Sequence, residues 1–440
     1  MIRKIKSNVI FLSRKIRSKI WQRRNRAFIP VLDQGFYSAD NLVLVGWAKT
    51  ANIEVRFVNV HTGREIKGVT KRVNRSDLPE SFGFESFFRV SDFKQLLFGQ
   101  SFWVELVINN RLSRVFRKIE IHENYELIRR NITQDFSDGK MSLDIAVQTL
   151  LPSLSSENLR RQTQPNSIEV LYDSDNECDE IDFLIVVPLF GNLGLVEHQL
   201  LLFGRFKHEY PQYRLQIIYV VDDPDLRNGA KSRISLLNET VFNLPVIVIC
   251  NEFNCGFALS CNNGFQFKKS KFTMFWNSDL YSENPADLLA ILRKLESDEK
   301  TVAVSPVLCN PDGVVQCTFL YRCRHPEYSD YVILQPAERG MSFTQLVSNT
   351  SNPEILTGGA LAVRSAIFKQ VGGFPTNYGQ GDFEDGELTI RLSKVGRLEV
   401  VYVPFYHLEG SSFRRNVLET FCRSILFSQF CSSFGMKELV

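Results

Sequence analysis

Acidic residues recur in this chain where runs of apolar residues stop. Asp222-Asp223 follow the run 217–221, and Asn277-Ser278-Asp279 follow the run 273–276. A further pair, Glu384-Asp385, opens a helical stretch, and His407 closes the segment Pro404-Phe405-Tyr406. Carboxylates at strand ends suit two tasks: hydrogen bonding to a nucleoside, and presenting oxygens to a hard divalent ion that neutralises a diphosphate. A single Asp after a strand more often caps the next helix, and two acids in a helix's first turn are favoured by its dipole. Strand-end polar clusters repeated in order along one chain point instead to a shared crevice.

The elements that must position these residues are read from the apolar rhythm. Continuous apolar runs at 183–187, 217–221, 246–250, 273–276 and 302–305 alternate with helical segments. Strands apolar on both faces, joined by helices, imply an α/β fold with a mostly parallel sheet covered on both sides. In such sheets ligands bind beyond the carboxyl ends of the strands, where Pro188 to Asn192 also lie.

Four blocks make this half of the chain resemble the family-2 type of glycosyltransferase with the GT-A fold, a Rossmann-like nucleotide-diphospho-sugar transferase fold. The likeness is to bacterial enzymes that build surface polysaccharides and rhamnose-containing chains. The blocks are Ile185-Val186-Val187-Pro188 with Val221-Asp222-Asp223; Asn254-Cys255-Gly256-Phe257 with Asn262-Asn263-Gly264; Trp276-Asn277-Ser278-Asp279; and Thr357-Gly358-Gly359 with Glu384-Asp385-Gly386-Glu387-Leu388 and Arg391. By this resemblance Pro188, Asp222, Asp223, Asn254, Gly256, Asn262 and Asn277 bind a nucleotide-sugar donor. Gly358 and Gly359 line the acceptor side, and Asp279 with His407 holds a divalent metal, Mn²⁺ or Mg²⁺. Asp385 is the expected general base, with Glu384 as the alternative. An acceptor hydroxyl is a weak nucleophile, so a carboxylate within reach takes its proton as the glycosidic bond forms, and a single direct attack inverts the anomeric carbon. The chain departs from the family pattern at Pro224-Asp225, where Gly-Ser is usual, at Asn277, where the first Asp of DxD stands, and at Glu387, in place of a later Asp.

At 440 residues, 44% apolar and 23% charged, the chain is long enough for two or three domains of globular composition. Its 52 basic and 49 acidic residues nearly balance, which gives no reason to expect a nucleic-acid partner. Residues 1–27 read as a basic amphipathic helix that lies on an anionic membrane surface or packs on the protein's own body. Charges interrupt its apolar stripe, so it neither spans a bilayer nor resembles a secretory signal. That places the protein in the cytoplasm, peripheral on the inner face of the cell membrane if the helix docks there. Residues 28–122 read as a small antiparallel, β-sandwich-like domain, 123–180 as a linker with a short helix near 143–154, 181–413 as the glycosyltransferase domain, and 414–440 as a helical tail. The tail packs on the catalytic domain or joins the first helix at a membrane. A lipid-linked or growing glycan acceptor, as in O-antigen or capsule synthesis, suits that location. The nine cysteines include no CxxC pair and read as reduced thiols.

Two other functions compete. A nucleotidyltransferase normally needs a basic, glycine-rich phosphate loop after its first strand, and Pro188 to Leu195 contains no Lys or Arg. A catalytically inactive carbohydrate-binding or scaffold protein is kept open by Asn277 and Glu387.

Overall fold

The computed structural model describes the strand residues 31–37, 41–48, 53–59, 65–73, 82–89, 102–108, 111–116 and 121–122 and single helical positions between 132 and 154. It then describes 167–174, 181–326, 331–346, 353–408 and 417–434. The expected basic helix at 1–27 lies outside the described residues. The chain divides into two units, Met1–Glu157 and Asn158–Val440.

The first unit is built of strands β1 (Val31–Tyr37), β2 (Asn41–Ala48), β3 (Ile53–Asn59), β4 (Glu65–Lys67), β5 (Val69–Val73), β6 (Phe82–Arg89), β7 (Phe102–Ile108), β8 (Arg111–Phe116) and β9 (Ile121–His122). They form two sheets, in the orders β5-β6-β2-β1-β9 and β4-β3-β7-β8, antiparallel apart from the short β1/β9 pair. In β3, Ile53 and Val55 are buried while Glu54 and Arg56 are half-exposed, the alternation of a strand with one covered face.

In the second unit, strands β10 (Ile168–Asp173), β11 (Ile181–Leu189), β12 (Leu215–Val221), β13 (Val246–Asn251), β14 (Ser270–Trp276), β15 (Leu280–Tyr281), β16 (Thr301–Cys309), β17 (Val315–Cys317), β18 (Leu320–Arg324), β19 (Val332–Pro336), β20 (Ala360–Arg364) and β21 (Arg397–His407) are joined by helices. These are α1 (Val196–Glu209), α2 (Arg227–Leu237), α3 (Phe257–Phe267), α4 (Pro285–Ser297), α5 (Ser365–Gln370), α6 (Glu384–Ser393) and α7 (Val417–Ser433). The main sheet runs β10-β13-β12-β11-β14-β20-β16-β21-β15, with β17 on β16, while β18 and β19 form a separate hairpin. Its parallel centre, β13-β12-β11-β14, follows from the apolar runs, because helices cover both faces. From β11, Phe183, Ile185, Val187 and Leu189 enter one layer with Leu200 and Phe203 of α1 and Leu292 of α4. Leu184 and Val186 enter the opposite layer with Cys261 of α3 and Leu388 of α6.

The order fixes where ligands go. The chain moves outward from β11 through β12 to β13 and returns to the other side of β11 as β14, so the switch point opens beyond the carboxyl ends of β11 and β14. Residues 168–173, inside the segment expected to be linker, instead form the edge strand β10 on β13. In the tail, Leu418, Phe421, Cys422 and Ile425 of α7 are buried, and Phe427 packs with Ile390 and Phe383.

Candidate active site

The two aspartates that end β12 part company. Asp222 is 3% exposed. Its Oδ1 accepts from Asn251 Nδ2 at 2.9 Å and the Cys255 amide at 2.7 Å, and its Oδ2 from the Gly256 amide at 2.9 Å. Burial raises this carboxyl to about 6 against the pull of those donors. Asp222 therefore ties the end of β12 to the loop after β13. Asp223 is half-buried and accepts from the Asp225 amide at 3.1 Å, capping the turn Pro224–Leu226 that leads into α2. Here the capping role open to any isolated strand-end aspartate is realised.

The asparagines of the second block also hold backbone. Asn254 Oδ1 accepts from the Gly256 amide at 3.1 Å, and Asn262 grips Phe374, donating to its carbonyl at 2.9 Å and accepting from its amide at 3.0 Å. Gly256, at φ +81°, abuts the loop ahead of α6: a Cβ there would stand 2.6 Å from the Gly379 carbonyl oxygen. The loop after β13 and the loop preceding Glu384-Asp385 are thus in contact, joined by the Phe257 amide donating to the Gln380 carbonyl at 3.2 Å. Pro188 is buried within β11, opposite Val220.

Beyond β14, the short β15 pairs with β21 so that Leu280 faces His407, which sets His407 Nε2 3.2 Å from Asp279 Oδ1. Gln316, in β17, orders this pair. Its Nε2 donates to the His407 carbonyl at 2.7 Å and its Oε1 faces Nδ1 at 3.0 Å. A carbonyl only accepts, so the amide orientation is set and Nδ1 carries the hydrogen. His407 Nε2 therefore faces the Asp279 carboxylate, a nitrogen and an oxygen turned towards one point. Asn277 Oδ1 is buried with no partner among the described residues. An imidazole nitrogen beside carboxylate and amide oxygens fits a divalent ion that keeps further positions open. Among the described residues no three His, Cys, Asp or Glu gather into an all-protein cage. The loop itself is held by Gln199 of α1, buried, whose Nε2 donates to the carbonyls of Ser278 at 3.3 Å and Leu280 at 3.2 Å.

The glycine pair connects this corner to α6. The Asn277 amide donates to the Gly359 carbonyl at 2.9 Å, and the Gly358 amide donates to Asp385 Oδ2 at 2.8 Å. A Cβ on Gly358 would lie 2.9 Å from Asp385 Cβ, so only glycine lets that carboxylate come so near. The Gly386 amide meets Asp385 Oδ1 at 2.7 Å. Glu384 is the buried member of the pair. It is 7% exposed, Oε2 has no hydrogen-bond partner among the described residues, and burial, with the Asp385 and Asp382 carboxylates beside it, raises it to about 8. Burial and the neighbouring carboxylates disfavour ionisation of Glu384, whereas both oxygens of Asp385 accept from backbone amides. Glu387 is engaged structurally: Tyr378 donates to it at 2.8 Å, and Arg391 lies 3.7 Å away while donating to the Gly373 carbonyl at 2.7 Å.

One row of contacts therefore runs from His407 and Asp279 through Asn277, Gly359 and Gly358 to Asp385, with Asp222 organising a second loop that touches the same α6 approach. Three residues that sequence reasoning did not single out hold it: Asn251, Gln199 and Gln316. Nothing in their types or spacing signals the role, since each acts on a partner distant in the chain.

No family model matches the chain, and no curated protein matches it. Among solved structures, it is similar to a mannosyltransferase from Pyrobaculum calidifontis in complex with GDP-Man and Mn²⁺, at 14% identity over 72% of this chain and 77% of that one, TM-score 0.39. It is also similar to GalNAc-T7 with UDP, GalNAc and Mn²⁺, at 14% identity over 56% of this chain and 48% of that one, TM-score 0.42. A third is S. aureus TarS 1-349 in complex with UDP-GlcNAc, at 17% identity over 55% of this chain and 61% of that one, TM-score 0.36.

Proposed function

We propose that the second unit is a GT-A glycosyltransferase that moves a sugar from a nucleoside-diphosphate donor to an acceptor hydroxyl with inversion at the anomeric carbon. The observation that carries this reading is the row of contacts linking the Asp279–His407 pair to Asp385 through Asn277, Gly359 and Gly358. It sets a cation-holding corner and a candidate base on one sheet rim, beyond the switch point where nucleotides bind.

In this reading Asp222 shapes the loop under the nucleoside, and half-exposed Asp223 is its polar neighbour. Asp279 and His407 hold a divalent ion, with Asn277 beside them. When bound, that ion neutralises charge gathering on the departing diphosphate. Asp385, its carboxylate oriented by the Gly358 and Gly386 amides, removes the acceptor hydroxyl proton. The acceptor oxygen forms the new bond to the anomeric carbon, and the old bond's electron pair leaves with the diphosphate.

The finer assignment is a bacterial surface polysaccharide of O-antigen or capsule type, with a glycan or lipid-linked glycan acceptor. It rests on the resemblance of the four sequence blocks, as does a cytoplasmic site of action. Peripheral membrane contact rests on the basic stretch 1–27; among the described residues no helix is long and apolar enough to cross a membrane.

A panel of nucleotide sugars, screened with and without Mn²⁺ for thermal stabilisation and then for transfer, tests the reading. A donor at a hundredfold its Kd stabilises by about 2.7 kcal/mol. The expected result is one class of nucleotide sugar raising the unfolding temperature, more with Mn²⁺. A panel that shifts nothing under either condition refutes it.

A further inference from the structure

We propose that Arg423, on the C-terminal helix α7, is a positioning residue for the transfer reaction: it clamps the turn Asp382-Phe383 and so sets where Asp385 stands. The proposal rests on the reading of Asp385 as the base.

The turn needs holding. Asp382 at φ +84° and Phe383 at φ +71° are successive non-glycine residues in the left-handed region, immediately before α6. Side chains disfavour that region, and a large aromatic one especially. Such strain persists only where surroundings over-determine it, and it gathers at functional sites. No side chain caps the helix at Phe383, so the helix start is not fixed locally.

The surroundings come from α7. Arg423, only 1% exposed, donates from Nη1 to Asp382 Oδ2 at 3.0 Å and from Nη2 to Glu419 at 2.9 Å. Thr420 donates to the same Asp382 oxygen at 3.0 Å. One turn further along α7, Phe427 sets its ring 5.3 Å from that of Phe383, and a Cβ on Gly386 would come within 3.2 Å of the Phe427 ring. Arginine suits this task because its planar fork bridges two carboxylates in fixed directions, which lysine cannot do. Burying such a pair gives little net stability, whereas fixing direction is what a base at the start of α6 requires. Asp385 is already in contact with the Gly358 amide at 2.8 Å, so a shift of the turn breaks the register between base and acceptor-side glycines. The guanidinium's charge also reaches Glu384.

The test uses the full chain with Thr420→Val, Asp382→Asn and Arg423→Lys beside Asp385→Asn. Each is confirmed folded by circular dichroism at the assay temperature, and donor Kd, KM and kcat are measured. Misplacing a reacting group by an ångström costs about a hundredfold in rate. The expected result is a kcat fall of about 10-fold for Thr420→Val and about 100-fold for Arg423→Lys, with donor Kd within about twofold of wild type. If Arg423→Lys does not fold, Thr420→Val and Asp382→Asn decide alone, since each is the milder change. Turn variants that melt earlier but keep wild-type kcat when folded, beside an inactive Asp385→Asn, overturn this proposal and leave the base assignment standing. A fully active Asp385→Asn overturns both.

Discussion

Glu384→Gln replaces a buried carboxyl by its neutral isostere and isolates one electrostatic effect. In the folded chain Glu384 is raised from an ordinary 4.5 to about 8, chiefly by burial, then by Asp385 and Asp382, with Arg423 pulling weakly the other way. The folded protein therefore keeps this proton over a range where the unfolded chain has released it. Stability is complete below 4.5, is lost as pH rises towards 8, and levels off above that. The gap between 4.5 and about 8 caps the loss at about 5 kcal/mol, and on the order of 4 kcal/mol of it falls between about pH 5 and pH 9. Urea unfolding of wild type and variant at those two pH values, followed by tryptophan fluorescence, measures it. The difference between their pH slopes belongs to Glu384 together with the Asp385 and Asp382 carboxylates coupled to it. The variant is expected to gain on wild type by several kcal/mol on going to the higher pH. Parallel pH dependences would refute the reasoning that Glu384 is held protonated.

Three further outcomes follow from the same geometry. Gln316→Leu frees the His407 ring, and loss of such an orienting partner weakens a metal site about 10- to 100-fold; Mn²⁺ titration followed by electron paramagnetic resonance checks this, and an unchanged affinity counts against Gln316. Gly358→Ala drives a methyl to 2.9 Å from Asp385 Cβ and is expected to cost about 1 to 3 kcal/mol together with most of the transfer rate, read by thermal melts and kcat. Deleting residues 1–26 should release the protein from vesicles rich in anionic lipid, by co-sedimentation, and retained binding would remove that stretch as the membrane contact.

What the sequence made legible is set by burial on both faces. Strands β11 to β14 announce themselves as apolar runs because helices cover them front and back, and their ends locate Asp222, Asn277 and Asp279. Strand β21 does not, since most of its residues are half-buried, and the edge strand β10 hides in a polar stretch. The site was visible as residue types but not as directions. The Asp222-Asp223 pair reads as two equivalent acids, yet one turns inward onto three donors and the other caps a turn, because only the fold brings Asn251, Cys255 and Gly256 to the first. Asn262 likewise resembles a donor ligand in sequence but faces the Phe374 backbone. Arg423 and Asp382 meet across 41 positions of chain, a pairing that no local pattern encodes.

In the proposed function Asp385 works on the acceptor at the far end of a row that begins at Asp279 and His407, the pair proposed to hold the ion. Single-turnover transfer by Asp385→Asn, with donor and Mn²⁺ affinities measured on the same preparation, tests it most directly. Wild-type affinities are expected, with a transfer rate lower by about 10² to 10⁴. A variant that transfers sugar at the wild-type rate, or that loses donor and Mn²⁺ binding together with transfer, contradicts it.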